Sequence, residues 1–108
     1  MEGNYIILTN KDEYQTNIHT EGLEVIETYE YYFFNQLRAK YTIAKVTKND
    51  IKITLTEEKD EKKYINNIPV KFFEVYETIE GAHEELDEIT GPDSDNARLE
   101  KLNEESII

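Results

Sequence analysis

The 108-residue chain predicts an α+β fold: an antiparallel sheet of about five strands, arranged as a meander, followed by one or two C-terminal helices. Three observations lead there. β-branched and aromatic residues crowd Leu23 to Phe34 and Leu37 to Thr47. Ile51-Lys52-Ile53-Thr54-Leu55-Thr56 alternates apolar and polar residues, the period of a half-buried strand. After Tyr76 the period lengthens, with Ile79, Ala82, Leu86 and Ile89 forming one helical stripe.

Taken in order, Tyr5-Ile6-Ile7-Leu8 is too short for a helix and reads as a first strand. Residues 9–22 read as a loop or irregular edge, because Asn10, Asp12, Asn17 and Gly22 favour turns. The two aromatic-rich runs meet at Asn35-Gln36, expected as a hairpin turn. Thr47-Lys48-Asn49-Asp50 is the next turn, and the charged stretch Glu57 to Lys63 the one after. A last strand is expected from Val70 to Tyr76, because Pro69 suits a strand start. Thr78 can cap the first helix, and Gly91-Pro92 stops it. A second helix is expected to open at Asp93 or Ser94, with Leu99 and Leu102 as its thin apolar face.

Length and composition fit one domain spanning residues 1–108, mainly strands in 1–77 and an acidic helical segment in 78–108. There is no cysteine, which removes disulfides, thiolate metal sites and cysteine nucleophiles. No basic-then-apolar leader opens the chain, and no apolar run approaches the ~18 residues of a membrane span. A cytoplasmic location is the expectation.

The net charge of −12 is unevenly placed. Twelve acids in residues 74–108 face only Arg98 and Lys101, while residues 1–73 are nearly balanced. Such a field repels phosphate backbones and anionic membrane surfaces, so neither direct nucleic-acid binding nor membrane binding is expected. A basic protein surface is the partner it attracts.

Two groups of residues stand out. Glu77, Glu80, Glu84, Glu85, Asp87 and Glu88 lie on or beside the first helix, away from its apolar stripe. Glu80–Glu84 and Glu84–Glu88 are like-charge pairs four residues apart, and Asp87 and Glu88 sit at the negative end of the helix dipole. Carboxylates retained against local preference offer a basic partner a row of charges ~5–6 Å apart. A nucleic-acid mimic that inhibits a DNA- or RNA-binding protein, of viral or mobile-element origin, would carry such a row; so would an ordinary solvated helix.

The second group is Tyr29, Tyr31 and Phe33 on one face of the aromatic strand, joined by Tyr41 and Tyr76. It reads as a core strand covered on both sides, as a homodimer interface, or as the lining of a pocket between helix and sheet. That pocket defines the alternative function class, a small-ligand-binding or enzymatic domain. Against chemistry, no nucleophile motif, glycine-rich phosphate loop or metal-ligand spacing is present, and no cofactor is expected. The Asp93-Ser94-Asp95-Asn96 run departs from a calcium loop at Ala97 and Arg98, where a ligand and the turn glycine belong. His83 stands alone among helix acids, and one His amid Glu residues does not make a metal site.

Overall fold

A computed structural model describes residues 3–18, 20–91 and 96–102. Among them the architecture is α+β, with seven strands in two antiparallel sheets and one α-helix. Sheet 1 has the order β1-β4-β3-β7, from Tyr5–Asn10 (β1), Gln36–Val46 (β4), Leu23–Phe33 (β3) and Ala97–Lys101 (β7). Sheet 2 has the order β2-β5-β6, from Tyr14–Thr16, Lys52–Lys59 and Lys62–Pro69. Helix α1 spans Ile79–Thr90.

The aromatic hairpin β3–β4 forms as its composition demands, and β1 adds to the far edge of β4. The strand order is therefore not a simple meander: β1 bypasses its sequence neighbours to pair with β4. The segment expected as a loop begins with the end of β1, then turns at residues 11–13 into β2 of the second sheet. Asn10 Oδ1 accepts the Thr16 N–H at 2.5 Å, and Thr16 Oγ1 donates to the Thr9 carbonyl at 2.9 Å, fixing that corner.

Sheet 1 is buried on both faces. One face presents Ile6, Leu8, Ala44 and Val46 to Ile53 and Val70 of the second layer, with Leu23 packed at the margin. The other presents Ala39, Tyr41 and Ile43 to Ala82 and Leu86 of α1, with Tyr29, Tyr31, Tyr76 and Leu99 around them. Strand β3 serves both layers because Ile26 is an extra residue in its ladder, where the register steps from Val25↔Ala44 to Glu27↔Ile43. Leu23 and Val25 thus share the inter-sheet face of Val46 and Ala44, whereas Glu27, Tyr29 and Tyr31 share the helix face of Ile43, Tyr41 and Ala39.

Helix α1 starts at the expected cap: Thr78 Oγ1 accepts the Gly81 N–H at 3.0 Å. Its end is as expected too, with Gly91 at φ 75°. Ile89, however, is exposed, so the apolar stripe narrows to Ile79, Ala82 and Leu86.

Four further expectations are corrected. The hairpin turn centres on Phe34-Asn35, both at positive φ (51° and 63°), not on Asn35-Gln36. The charged stretch 57–63 is mostly strand, turning only at Asp60-Glu61, again with positive φ. The last strand of the charged hairpin is Lys62–Pro69; the Val70–Tyr76 segment is a 3-10 turn (Val70–Phe72) followed by a single bridge from Tyr76 to Tyr5. No second helix follows within residues 96–102. The Asp93 and Ser94 start lies outside the described residues, but Ala97–Lys101 is a strand on the edge of β3. Unpaired backbone groups along that edge outweigh the good helix propensity of Arg98-Leu99-Glu100-Lys101, which is worth only tenths of a kcal/mol per residue.

Candidate functional site

The helix carboxylates are placed largely as the sequence suggests. Glu77, Glu80, Glu84, Asp87 and Glu88 are exposed and Glu85 is half-buried. Among the described residues none of the six makes an ion pair. The helix carries no basic residue in its last turn to offset the dipole. Crowding extends off the helix: burial, then Glu74 and Glu88, raise the Glu85 carboxyl above its ordinary value. Burial together with Glu85 and Glu74 pushes the Tyr76 phenol up to about 12.

The aromatic group divides. Tyr41 is buried and Tyr29, Tyr31 and Tyr76 are half-buried, all packed with Ala82 and Leu86 between sheet 1 and α1. Phe33 does not join them. It lies at the exposed end of β3, edge-to-face with Phe34 at 4.5 Å. Strand β3 itself runs between β4 and β7, so the surface it leaves for a second copy is its end, not its length.

A cluster that the sequence did not single out joins three elements. Glu27, whose side chain is 11% exposed, faces α1 because of the extra residue at Ile26. Its Oε1 accepts from His83 Nε2 of α1 and its Oε2 from Lys101 Nζ of β7, both at 2.5 Å. The Tyr29 hydroxyl donates to Oε2 at 3.3 Å and lies 3.4 Å from His83 Nε2. Burial pushes the Glu27 carboxyl up, but hydrogen bonds from Lys101 and His83, with their charges, outweigh it and hold the carboxyl below its ordinary value. Burial and the neighbouring Glu27 push the Tyr29 phenol up to about 12.

The sequence signal was shared: Glu27 is one of three glutamates, with Glu24 and Glu30, inside the β-branched and aromatic run, and nothing local separates it from the other two. Its partners lie so far along the chain (His83 is 56 residues away) that no local pattern marks them. Chemically the arrangement is a satisfied carboxylate that clamps helix and edge strand to β3. Among the described residues no group of three or more His, Asp or Glu side chains could hold a metal ion. No helix of the described residues is long and apolar enough to cross a membrane. Comparison of the chain with known protein families, curated proteins and solved structures finds no match.

Proposed function

We propose that this protein is a non-enzymatic acidic binding or inhibitory protein, whose helix α1 engages a basic protein surface. The observation that carries this reading is the unquenched helix: Glu80, Glu84, Glu85, Asp87 and Glu88 have no cationic partner among the described residues, although the chain holds twelve Lys and Arg. A target that binds DNA or RNA offers the cationic surface such a row would fit, which makes nucleic-acid mimicry the specific form of the proposal.

The test compares the wild type with a Glu80→Gln/Glu84→Gln/Glu88→Gln variant for capture of basic proteins from the native host. Wild-type capture should collapse at high salt, since the Debye length shrinks from ~10 Å at ~0.1 M to ~3 Å at ~1 M. The variant should capture little at any salt while gaining about 0.5 kcal/mol of stability from removal of two like-charge pairs. Equal capture by variant and wild type overturns the proposal.

The alternative, a small-ligand-binding or enzymatic domain, draws its support from Glu27 and His83, since a carboxylate that orients an imidazole is half of a general-base device. Tyr29, Tyr31, Tyr41 and Tyr76 fill the space between helix and sheet in this reading as packed walls. Salt-insensitive binding of a small apolar ligand, lost in a His83→Ala variant, would favour it over the acidic-helix reading.

A further inference from the structure

Two exposed apolar spots lie in surroundings of opposite charge. The first is the tip of the β3–β4 hairpin, where Phe33, Phe34 and Leu37 are 37%, 58% and 47% exposed. Arg38, an extra residue in the β4 ladder, adjoins them and is exposed. Beside it runs a shallow groove of about 160 Å³ lined by Lys11, Leu37, Arg38 and Lys40, with Asp12 as its one acid. Among the described residues Lys11, Arg38 and Lys40 make no ion pair, in a chain with twice as many acids as bases. The second spot is Ile89 of α1, 47% exposed, flanked in sequence by Glu85, Asp87 and Glu88.

The tip is also tied to the chain around β7 by hydrogen bonds. Phe34 N–H donates to the Asn96 carbonyl at 2.6 Å, and Arg98 Nη1 donates to Asn35 Oδ1 at 2.6 Å. The Arg98 guanidinium lies 4.4 Å from the centre of the Tyr32 ring. Phe34 occupies the left-handed region at φ 51°, where Asn or Gly would sit at lower cost. A bulky aromatic kept in that position, exposed and with its backbone tied to the chain around β7, has the character of an interface anchor, and arginine beside an aromatic is the composition of binding hot spots.

We infer that the hairpin tip of one copy docks on the acidic C-terminal half of α1 of a second copy. Phe34 and Leu37 cover Ile89, and Arg38, Lys40 and Lys11 face Glu84, Glu85 and Glu88. The inference rests on the reading of α1 as the binding face and names one partner for it. Both halves of the contact are carried by one chain and differ from each other, so the association is head-to-tail, closing into a ring or continuing as a chain of copies rather than forming a two-fold dimer. The net charge of −12 on each copy opposes approach at long range. The contact is therefore short-range and weak, strongest where salt cuts the Debye length to ~8 Å without erasing contact pairs.

A charge swap tests it by analytical ultracentrifugation of the full chain over rising concentration. The wild type should exceed the single-chain mass. Arg38→Glu/Lys40→Glu should weaken association about tenfold or more, and so should Glu84→Lys/Glu88→Lys. An equimolar mixture of the two variants should regain wild-type association, because each altered face then meets its complement. A wild type that stays monomeric at every concentration overturns the inference, as do variants that associate like the wild type, or a mixture that does not recover. Recruitment of the monomer, through its tip, to anionic vesicles or to a different acidic protein would equally assign the tip elsewhere. Failure here separates from failure of the functional proposal. A monomeric wild type whose capture of basic proteins survives Arg38→Glu/Lys40→Glu leaves the helix reading standing, whereas capture that survives Glu84→Lys/Glu88→Lys removes it.

Discussion

Replacing Glu27 with glutamine removes one charge from the junction of β3, α1 and β7 while preserving its volume. Glu27 is nearly buried, but its partners His83 and Lys101 have side chains 40% and 58% exposed. A hydrogen bond to a charged group contributes about 1.5–3 kcal/mol when desolvated, and an exposed ion pair about 0–1 kcal/mol. The amide keeps one acceptor and turns an N–H group toward a donor, so the expected loss is about 2 kcal/mol, in the lower part of the first range because both donors are partly exposed. In a domain of this size that lowers Tm by about 8 °C. Urea denaturation followed by far-UV circular dichroism measures the loss, given equal slopes for the two proteins.

Acid supplies a second readout. The folded Glu27 carboxyl lies below its ordinary value of 4.5, so its contribution is complete above that pH and disappears as pH falls through the lower folded value. The stability gap between wild type and Glu27→Gln should therefore narrow in acid. A gap below about 0.5 kcal/mol at neutral pH, or one that widens in acid, would refute the assignment of Glu27 as the clamp.

Gly22 sits at φ 96°, and a Cβ there would lie 2.6 Å from Ile51 Cγ2; Gly22→Ala should cost about 2–3 kcal/mol in denaturant unfolding, and a neutral result would mean the turn re-forms differently. Phe34→Asn relieves the left-handed strain of an exposed residue and should raise stability by about 0.5–1 kcal/mol while weakening self-association; a loss of stability would show that the Phe34 ring packs more than its exposure implies. Tyr29 and Tyr76, both raised to about 12, favour the folded state below about pH 10 and lose that contribution as pH climbs toward their folded values. Phenolate absorbance should show Tyr29 and Tyr76 as the most resistant to ionisation, with Tyr14, Tyr32 and Tyr41 also raised, and uniform titration near pH 10 in the folded protein would contradict this.

The helix was legible because period, cap and stop agree: Ala82 and Leu86 face the core, Thr78 caps and Gly91 terminates. The paired strands β3 and β4 were legible for the same reason, since their composition and their tertiary role coincide. Strand β6 was missed because it is an edge strand exposed over most of its length, and a strand with no buried face leaves no alternating signature. Strand β7 was missed because its residues favour helices in isolation and only the open edge of β3 recruits them. The acidic row on α1 was visible because it is local. The clamp at Glu27 was not, since it depends on an extra residue in one strand and on partners from two distant elements.

That extra residue has a consequence for how the chain tolerates change. Deleting Ile26 would reverse the parity of everything before it relative to everything after it. Either Leu23 and Val25 would turn away from the inter-sheet compartment, or Glu27 and the phenols of Tyr29 and Tyr31 would be driven into it. In this strand, spacing is as much an instruction as residue identity. A variant could conserve every side chain around both cores and still misplace half of them by losing a single residue.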